Sequence, residues 1–434
     1  MVEDRYTHPR DLLVSYMARI YGYRMTTTSG GNLSIRDESG DIWITPAKID
    51  QGRLQRSDIV LVKADGSWES EAPPSSELPL HQTIYRTRPD VRAIVHAHPV
   101  ALVAFSIVAA VPSTRVFHQA WRICGTGAFA PYRLPGSAEL GDAIAGALGA
   151  SHSCVILENH GVVAVGGDLP QAFQRFETFE FAGKSIIKAR LLGGTTRELS
   201  DAELDLADDQ AADTQPVTPS PAPTTAEQEV RTTLQEFVRR GYRQRLFIST
   251  HGTFSARVDD RSFVITPHER DRGALESADL VLIDGGRAAA GSTPSHATQL
   301  HAAIYRRHPQ IGAIVNAAPV NATAFSIANQ VPDTRTIPES RLVVRSPVLV
   351  PFRLQFEDPE ALAAVVSPQQ PIAMLENDGV LVTGGGVLEA FDRLEVLEST
   401  AEALINARAL GPLSPMDDVT IAELEAAFFG PSGD

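Results

Sequence analysis

The sequence has few cysteines, fewer basic than acidic residues and no long apolar run. Cys124 and Cys154 are its only cysteines, and both have apolar neighbours, so a disulfide framework is not indicated and a cytoplasmic location is expected. The 38 basic residues are outnumbered by 53 acidic ones, and without a basic run a nucleic-acid partner is not expected. No apolar run approaches the length of about 18 residues that a membrane span needs. The N-terminus also lacks the basic and apolar regions of a secretory signal.

The residues that are present point first to a metal site. The apolar, β-branched residues 91–95 predict a buried strand that leads into a His-Ala-His-Pro segment. Side chains two positions apart on a strand project from the same face, so His96 and His98 present two imidazoles to one point. Two such histidines are often only structural, but Glu77 upstream and His160 downstream add a carboxylate and a third imidazole. We interpret the set as a site for a divalent metal.

Two other segments have both a functional and a structural interpretation. The turn at 26–32 can wrap the backbone N–H groups of Gly30 and Gly31 around an anion, but for this segment alone a tight loop between helix and strand is favoured. Near Ser75 the sequence predicts the start of a helix, and there Glu77 is also explained as a capping carboxylate. His81, one turn later, is interpreted as a structural partner of Glu77.

Short strands joined by tight turns favour antiparallel pairing. Apolar periodicity predicts amphipathic helices over residues 9–21 and 171–192, and further helices are expected after Ser75 and after Pro99. The predicted strands are residues 33–36, 41–45, 59–63, 91–98, 155–157 and 162–165.

The chain contains two copies of one pattern. An acidic, proline-rich stretch at 200–227 predicts an extended linker between a domain at 1–199 and a second domain at 228–434. The segments that recur at a nearly constant offset are Ile44-Thr45-Pro46 with Ile265-Thr266-Pro267, Leu80-His81 with Leu300-His301, Ala93–Pro99 with Ala313–Pro319, and Leu157–Val162 with Leu375–Val380. Repetition over this length indicates a tandem duplication of one domain.

The second copy keeps the apolar positions and loses the chemical ones. The positions that differ are those grouped above as one site: His96, His98, His160 and Glu77 give way to Asn316, Ala318, Asp378 and His296, respectively. Their joint loss supports treating them as one site, because a fold keeps its core while positions used for chemistry drift. We expect the second domain to hold no metal.

The segments Ser-Gly-Gly-Asn-Leu-Ser, Ile-Thr-Pro, Ser-Ser-Glu, His-Ala-His-Pro and Glu-Asn-His-Gly resemble the class II aldolase/adducin family. The resemblance covers about residues 9–192 and, in degenerate form, about 228–408. It implies that each copy is an α/β domain, a three-layer α/β/α sandwich with a mainly antiparallel central sheet. It also implies a cyclic tetramer with active sites at subunit interfaces, and a divalent metal cofactor such as Zn²⁺, Mn²⁺ or Co²⁺.

The resemblance assigns roles to residues of the first domain. His96, His98 and His160 would be the metal ligands, and Glu77 the catalytic acid/base. The residues expected around a substrate phosphate are Gly30, Gly31, Asn32, Thr45, Ser75 and Ser76. The family commonly has Thr-Pro-Ser-Gly or Thr-Pro-Thr-Gly where this sequence has Thr-Pro-Ala-Lys, so Lys48 is expected to supply a charge in place of a close backbone approach. A tyrosine that assists proton transfer in aldolases of the family has no counterpart at 117–119.

The implied function is a metal-dependent aldolase that cleaves a sugar phosphate, such as a ketose 1-phosphate, into dihydroxyacetone phosphate and an aldehyde. The metal would stabilise the enediolate left when the carbon–carbon bond breaks, and Glu77 would move a proton in that step. The alternatives are an epimerase, dehydratase or decarboxylase acting on a related sugar acid, and an adducin-like non-catalytic scaffold, which fits the second domain. That domain is expected to replace a neighbouring subunit, so that two chains form a homo-oligomer of four domains.

Overall fold

The chain divides into two compact units. The computed structural model describes residues 7–208, 216–217, 222–289 and 291–430. The first unit comprises Met1–Thr114 and Gln119–Lys184, and the second comprises Arg115–His118 and Ser185–Asp434. The predicted division into 1–199, 200–227 and 228–434 stays a prediction.

The structure corrects the predicted linker in one respect. The segment is not extended throughout, because Asp201–Asp208 form a helix that buries Leu204 and Ala207. Apolar residues spaced three apart allow this helix to cover apolar surface despite its acidic composition. Most of the proline-rich part of the predicted linker lies outside the described residues.

The first half consists of short strands and amphipathic helices. Its helices are α1 (Pro9–Gly22), α2 (Leu78–Thr87), α3 (Val100–Ile107), α4 (His118–Cys124), α5 (Ala138–Leu148) and α6 (Leu169–Leu191). Its strands are β1 (Asn32–Arg36), β2 (Ile42–Ile44), β3 (Val60–Val62), β4 (Ala93–Ala97), β5 (Ala128–Ala130), β6 (Cys154–Leu157) and β7 (Gly161–Gly166). The predicted helices and strands of this half all occur. Three further elements, α4, β5 and α5, lie where the sequence patterns predicted none.

The seven strands of the first half form one sheet in the order β3-β2-β1-β4-β7-β6-β5. All neighbouring strands in it pair antiparallel except β5 and β6, which are parallel. The register places Asn32 of β1 on one side of His96 and Val163 of β7 on the other. The His-Ala-His segment therefore lies at the end of a central strand.

Alternate residues of the central strands belong to two apolar clusters. Ala93 and Val95 of β4 pack in one cluster with residues of α1 and α6, whereas Ile94 packs in the other with residues of α2 and α5. This alternation follows from the two-residue period of a strand, and it explains why β4 is apolar almost throughout. The predicted α/β class is confirmed.

The second half repeats this set of elements after a connecting region. Its helices are α7 (Asp201–Asp208), α8 (Thr225–Arg243), α9 (Thr298–Arg307), α10 (Val320–Ile327), α11 (Pro338–Val343), α12 (Leu354–Glu357), α13 (Pro359–Val365), α14 (Val387–Ala407) and α15 (Asp418–Phe429). Its strands are β8 (Pro216–Val217), β9 (Thr253–Arg257), β10 (Ser262–Ile265), β11 (Val281–Asp284), β12 (Arg287–Ala289), β13 (Ala313–Ala317), β14 (Val348–Val350), β15 (Ile372–Leu375) and β16 (Gly379–Gly384). Within the described residues they form a sheet in the order β14-β15-β16-β13-β9-β10-β11-β12-β8. None of the helices in the described parts of the chain combines the length and apolar character that a membrane crossing requires.

The two copies share their strand register, and the register corrects one sequence alignment. Asn316 of β13 lies beside Thr253 of β9, as His96 lies beside Asn32 in the first unit. Glu77 occupies the position just before α2, and Ala297 occupies the same position before α9. The counterpart of Glu77 is therefore Ala297, and the alignment with His296 was wrong by one residue.

Candidate metal centre

Three elements bring the predicted metal ligands together. His96 lies in β4 and His98 directly after it, while His160 lies in the tight turn between β6 and β7. Because β7 pairs with β4, this turn lies next to the end of β4. A side chain at Gly161 would place its Cβ 2.6 Å from the Ala97 carbonyl oxygen, so glycine is needed for the turn to approach so closely.

The three imidazoles converge on one point. Their ring centroids are 4.9 to 5.0 Å apart, and one ligating atom from each lies within 4.8 Å of the others. Glu77 completes the cluster from the start of α2. Its Oε2 lies 3.0 Å from His96 Nε2, and its Oε1 lies 3.5 Å from His160 Nε2.

The polar atoms of the cluster fit a metal ion. His96 uses its Nδ1–H to donate to the Val162 carbonyl at 3.0 Å, which leaves Nε2 to face the cluster. In this cluster, His98 Nε2, His160 Nδ1 and Glu77 Oε1 are buried with no hydrogen-bond partner among the described residues, and His96 Nε2 has only the Glu77 carboxylate beside it. Buried polar atoms are costly when unsatisfied, and imidazole nitrogens with a carboxylate oxygen suit a divalent transition metal.

The electrostatics of the cluster also favour a cation. Burial lowers the pKa of His98 to about 3 and that of His160 to about 4, so both rings are neutral near pH 7, as metal ligands must be. Burial alone would raise the pKa of the Glu77 carboxyl, but His96, Asn32 and His160 outweigh it and hold this pKa well below its usual range. Glu77 therefore contributes a negative charge. The same carboxylate raises the pKa of His96 against the opposing effect of burial.

The glycine-rich loop lies against the two histidines of β4. A Cβ on Gly31, which has a φ of 73°, would lie 2.8 Å from the His96 carbonyl oxygen. A Cβ on Gly30 would lie 2.9 Å from His98 Nδ1. The sequence of this segment by itself favours a simple tight turn, and in the structure the loop packs against His96 and His98.

We expect Gly30→Ala to displace the His98 ring and to weaken metal binding roughly tenfold, the magnitude usual for changes in residues that orient metal ligands. The affinity is measured by titrating metal-free protein with Co²⁺ or Zn²⁺. Gly146→Ala is the matched control, since nothing lies within 4 Å of the added methyl group in α5. Equal affinities for the two variants would contradict the expected displacement.

The residues predicted to bind phosphate fall into two groups. Thr45 and Ser75 are joined by a backbone hydrogen bond of 3.1 Å. Their hydroxyls accept from the N–H groups of Leu33 and Glu77 and so shape the local backbone. Ser76 and Lys48 are exposed, and their substrate-binding role stays a prediction.

Two structural interpretations drawn from the sequence are wrong. Glu77 does not cap its helix, because its side chain accepts no hydrogen bond from the first turn of α2; its Oε2 instead accepts from Asn32 Nδ2 at 2.8 Å. His81 does not pair with Glu77. Its ring contacts Asn32 and Ser34 on β1, because the helix turns its side chain towards the sheet.

Ser34 and Tyr85 were missed by the sequence analysis. Ser34 Oγ lies 2.6 Å from His81 Nδ1 and 2.7 Å from Tyr85 Oη. A signal for this network was present, since Glu77, His81 and Tyr85 recur every four residues on one helix face. Asn32 and Ser34 recur every two residues on one strand face.

The corresponding region of the second unit lacks this cluster. The only group of metal-binding side chains found in the described residues is His96, His98 and His160. Asp378 lies in a turn with the same backbone form as that of His160, since Asn377 and Asn159 both have a φ near 55°. Burial raises the pKa of the Asp378 carboxyl to about 8.

We expect Asp378→Asn to be more stable than the natural chain at pH 8, by about 1–3 kcal/mol in the free energy of unfolding. The folded-state pKa of Asp378 is raised, so its contribution to stability is complete below about pH 4 and is lost as the pH rises towards 8. The asparagine does not titrate. Urea unfolding at pH 5 and pH 8 measures the difference, and an equal difference at both pH values would contradict the assignment.

Comparison with known families identifies the class of protein to which this fold and site belong. Residues 11–187 and residues 232–405 both match the family described as the class II aldolase and adducin N-terminal domain. These two regions make up most of the chain, so the protein belongs to this family, and the resemblance inferred from the motifs is confirmed. The two matched regions agree with a tandem duplication.

Curated relatives align with one portion of the chain and with most of their own length. A 5-deoxy-D-ribulose 1-phosphate aldolase of Bacillus thuringiensis is 30% identical over 42% of this chain and 86% of the relative. A 3-oxo-tetronate 4-phosphate decarboxylase of Pectobacterium atrosepticum is 31% identical over 40% of this chain and 81% of the relative. An L-fuculose phosphate aldolase of Methanococcus maripaludis is 35% identical over 37% of this chain and 86% of the relative. The solved structure of an L-fuculose 1-phosphate aldolase is 30% identical. The match covers 46% of this chain and 93% of the aldolase chain, with a TM-score of 0.41.

Proposed function

We propose that the first unit is a divalent-metal-dependent carbon–carbon lyase that acts on a phosphorylated ketose. The observation that carries the proposal is the convergence of the imidazoles of His96, His98 and His160 beside the Glu77 carboxylate. We propose Zn²⁺ as the resident ion, with Mn²⁺ or Co²⁺ as substitutes, because the donor set consists mainly of imidazole nitrogens. When bound, such an ion supplies Lewis-acid stabilisation of the negative charge that develops at a carbonyl oxygen.

The names of the relatives point to one substrate pattern. A ketose 1-phosphate and a 3-oxo-tetronate 4-phosphate share a phosphorylated carbon, an adjacent ketone and a hydroxyl-bearing carbon beyond it. Aldol cleavage and decarboxylation both break the bond from the hydroxyl-bearing carbon to the carbon on its far side from the ketone. Both leave the electron pair on the hydroxyl-bearing carbon. We propose that this chain takes substrates with that pattern.

Each residue of the first unit has a proposed role in such a reaction. His96, His98 and His160 would hold the ion. Glu77 Oε1, which has no hydrogen-bond partner among the described residues, carries a proton to or from the reacting carbon. Asn32, Thr45, Ser75, Ser76 and Lys48, with the backbone of Gly30 and Gly31, lie on the segments proposed to receive the phosphate.

The proposal is tested in two steps. Metal content is first measured on protein purified without added metal, and about one divalent ion per chain is expected from a single site of this kind. The loaded protein is then incubated with ketose 1-phosphates, and dihydroxyacetone phosphate is measured. A chain that neither retains nor takes up zinc would refute the proposal and favour the non-catalytic scaffold.

A decarboxylase is the second candidate. It is supported by the 31% identity to a 3-oxo-tetronate 4-phosphate decarboxylase, which is close to the values for the aldolases. Decarboxylation releases carbon dioxide and needs no base to take the hydroxyl proton of a departing aldehyde. Release of carbon dioxide from a 3-oxo-tetronate 4-phosphate, without cleavage of ketose 1-phosphates, would decide for this candidate.

For the second unit we propose a non-catalytic, adducin-like role in a homo-oligomer of the chain. The support is the replacement of all four site residues by Asn316, Ala318, Asp378 and Ala297. Equilibrium sedimentation tests the association, and a fully active monomer would refute it.

We further propose that each copy is a three-layer α/β/α sandwich, supported by the two apolar clusters of the first sheet. A cytoplasmic location is supported by the two unpaired cysteines.

A further inference from the structure

A continuous set of buried hydrogen bonds connects the interior of the first unit to Glu77. The set runs from Tyr85 Oη to Ser34 Oγ (2.7 Å), from Ser34 Oγ to His81 Nδ1 (2.6 Å), from His81 Nε2 to Asn32 Oδ1 (2.5 Å) and from Asn32 Nδ2 to Glu77 Oε2 (2.8 Å). All five side chains are more than nine-tenths buried. Within a buried network of this kind, each hydrogen bond restricts the orientation of the next group.

Chemistry fixes the direction of each hydrogen bond in this set. Asn32 must turn its Nδ2–H towards Glu77, because its Oδ1 would be repelled by the carboxylate. Asn32 Oδ1 therefore faces His81 and needs a donor, which only a protonated Nε2 provides. Burial lowers the pKa of His81 to about 3, so the ring carries one proton, and its bare Nδ1 accepts from Ser34. The Ser34 proton is then used, and Tyr85 donates to Ser34 Oγ.

The second unit preserves most of this arrangement without a metal centre. Tyr305 Oη lies 2.9 Å from Ser255 Oγ, and Ser255 Oγ lies 2.7 Å from His301 Nδ1. His301 Nε2 contacts Asn316 Oδ1 at 2.7 Å, so here the asparagine is on β13 and not on β9. Satisfying the buried histidine is therefore a requirement of the fold in both copies.

Among the described residues, the connection from this histidine through an asparagine to a carboxylate is found in the first unit and not in the second. Asn316 occupies the place of His96, and Ala297 occupies that of Glu77, so the asparagine beside His301 has no glutamate to hold. In the first unit the corresponding amide contacts Oε2 of Glu77. Oε2 also lies 3.0 Å from His96 Nε2, and the other oxygen, Oε1, lies 3.5 Å from His160 Nε2.

We propose that His81 is a positioning residue of the metal centre. By holding Asn32 Oδ1, it directs the amide Nδ2–H to Glu77 Oε2 and thereby fixes the carboxylate with Oε2 beside His96 and Oε1 beside His160. This inference rests on the proposed metal site. Residues that hydrogen-bond to metal ligands and orient them contribute about 10–100-fold to metal affinity or activity. His81 does not contact Glu77 itself and acts on it through Asn32.

The test compares His81→Phe with His301→Phe in the full chain. Both variants leave a serine and an asparagine without their histidine partner, so both are expected to lower the thermal midpoint by similar amounts. Only His81→Phe is expected to weaken Co²⁺ binding to the metal-free protein, by about tenfold or more, and to change the visible absorption spectrum of bound Co²⁺. His81→Gln, which keeps a donor for Asn32 Oδ1, is expected to restore most of the affinity.

The outcomes separate this inference from the proposed function. If the natural chain binds no Co²⁺, the metal site itself is refuted. If it binds Co²⁺ and His81→Phe binds it with the same affinity and spectrum, the metal site stands and the positioning role of His81 is refuted. Should His81→Phe fail to fold, Ser34→Ala is compared with Ser255→Ala in the same way, since Ser34 fixes the proton on His81 Nε2.

Nitrogen-15 NMR of labelled histidine tests the direction of the hydrogen bonds independently. The His81 signals are assigned by their loss in His81→Gln. We expect the tautomer with the proton on Nε2. A proton on Nδ1 would mean that His81 does not donate to Asn32, and this result would overturn the inference.

Discussion

Replacing His98 with alanine is expected to reduce the divalent metal retained by the purified protein from about one ion per chain to nearly none. His98 supplies one of the three imidazoles, and its Nε2 is buried without a hydrogen-bond partner among the described residues. Two remaining imidazoles and a carboxylate leave a weaker and more open site. The side chain is partly exposed, so we expect the fold to survive, as judged by circular dichroism.

Asp378→Ala is the matched control for His98→Ala. Asp378 occupies, in the second unit, the turn position that His160 occupies in the first. It is not part of the metal cluster found in the described residues, so the variant should retain the full metal content. Loss of metal from Asp378→Ala would contradict the assignment of the metal to the first unit.

Glu77→Gln is expected to lower kcat by about 10²–10⁴-fold, the usual contribution of a positioned acid or base. The amide keeps the shape of the side chain but cannot carry the proton assigned to Oε1. The amide lacks the charge of the carboxylate and should also weaken metal binding, so the variant is assayed at saturating metal, where KM should change little. Steady-state kinetics on the substrate identified by the screen, together with metal analysis of the same sample, measure both effects.

Glu158→Gln serves as the control for the glutamate variant. Glu158 precedes His160 in the same turn, but its Oε2 accepts from the Tyr132 N–H at 2.8 Å and holds a neighbouring loop. Glu376 accepts from the Phe352 N–H in the same way in the second unit, where the metal ligands are lost. A kcat for Glu158→Gln as low as that for Glu77→Gln would show that the loss is not specific to the proton carrier.

The duplication separates what the fold needs from what the site needs. Three side chains or positions are the same in both copies. They are the buried histidine of the helix (His81 and His301), the glycine of the tight turn (Gly161 and Gly379) and the glutamate that accepts a hydrogen bond from a neighbouring loop (Glu158 and Glu376). Only the first copy keeps the three imidazoles and the carboxylate. Side chains retained in both copies therefore meet a need of the fold, to which the first copy can add a second role, as proposed for His81. Side chains found in the first copy alone are the main candidates for chemistry.

The sequence by itself predicted the α/β class, the two copies of one pattern and the grouping of His96, His98 and His160, whose rings lie together in the structure. These features follow from local periodicity: His96 and His98 share a strand face, and the loss of His98 and His160 together in the second copy links residues far apart in the chain.

Only the tertiary structure decided how the carboxylate is used. From the sequence, Glu77 was explained equally well as a helix cap, His81 as its partner, and Asn32 as a phosphate ligand. Their contacts depend on the distance and angle between β1 and α2, which lie more than forty residues apart in the chain. Hydrogen bonds require a match of distance and direction within a few tenths of an ångström, and spacing along a sequence does not specify that match between separate elements.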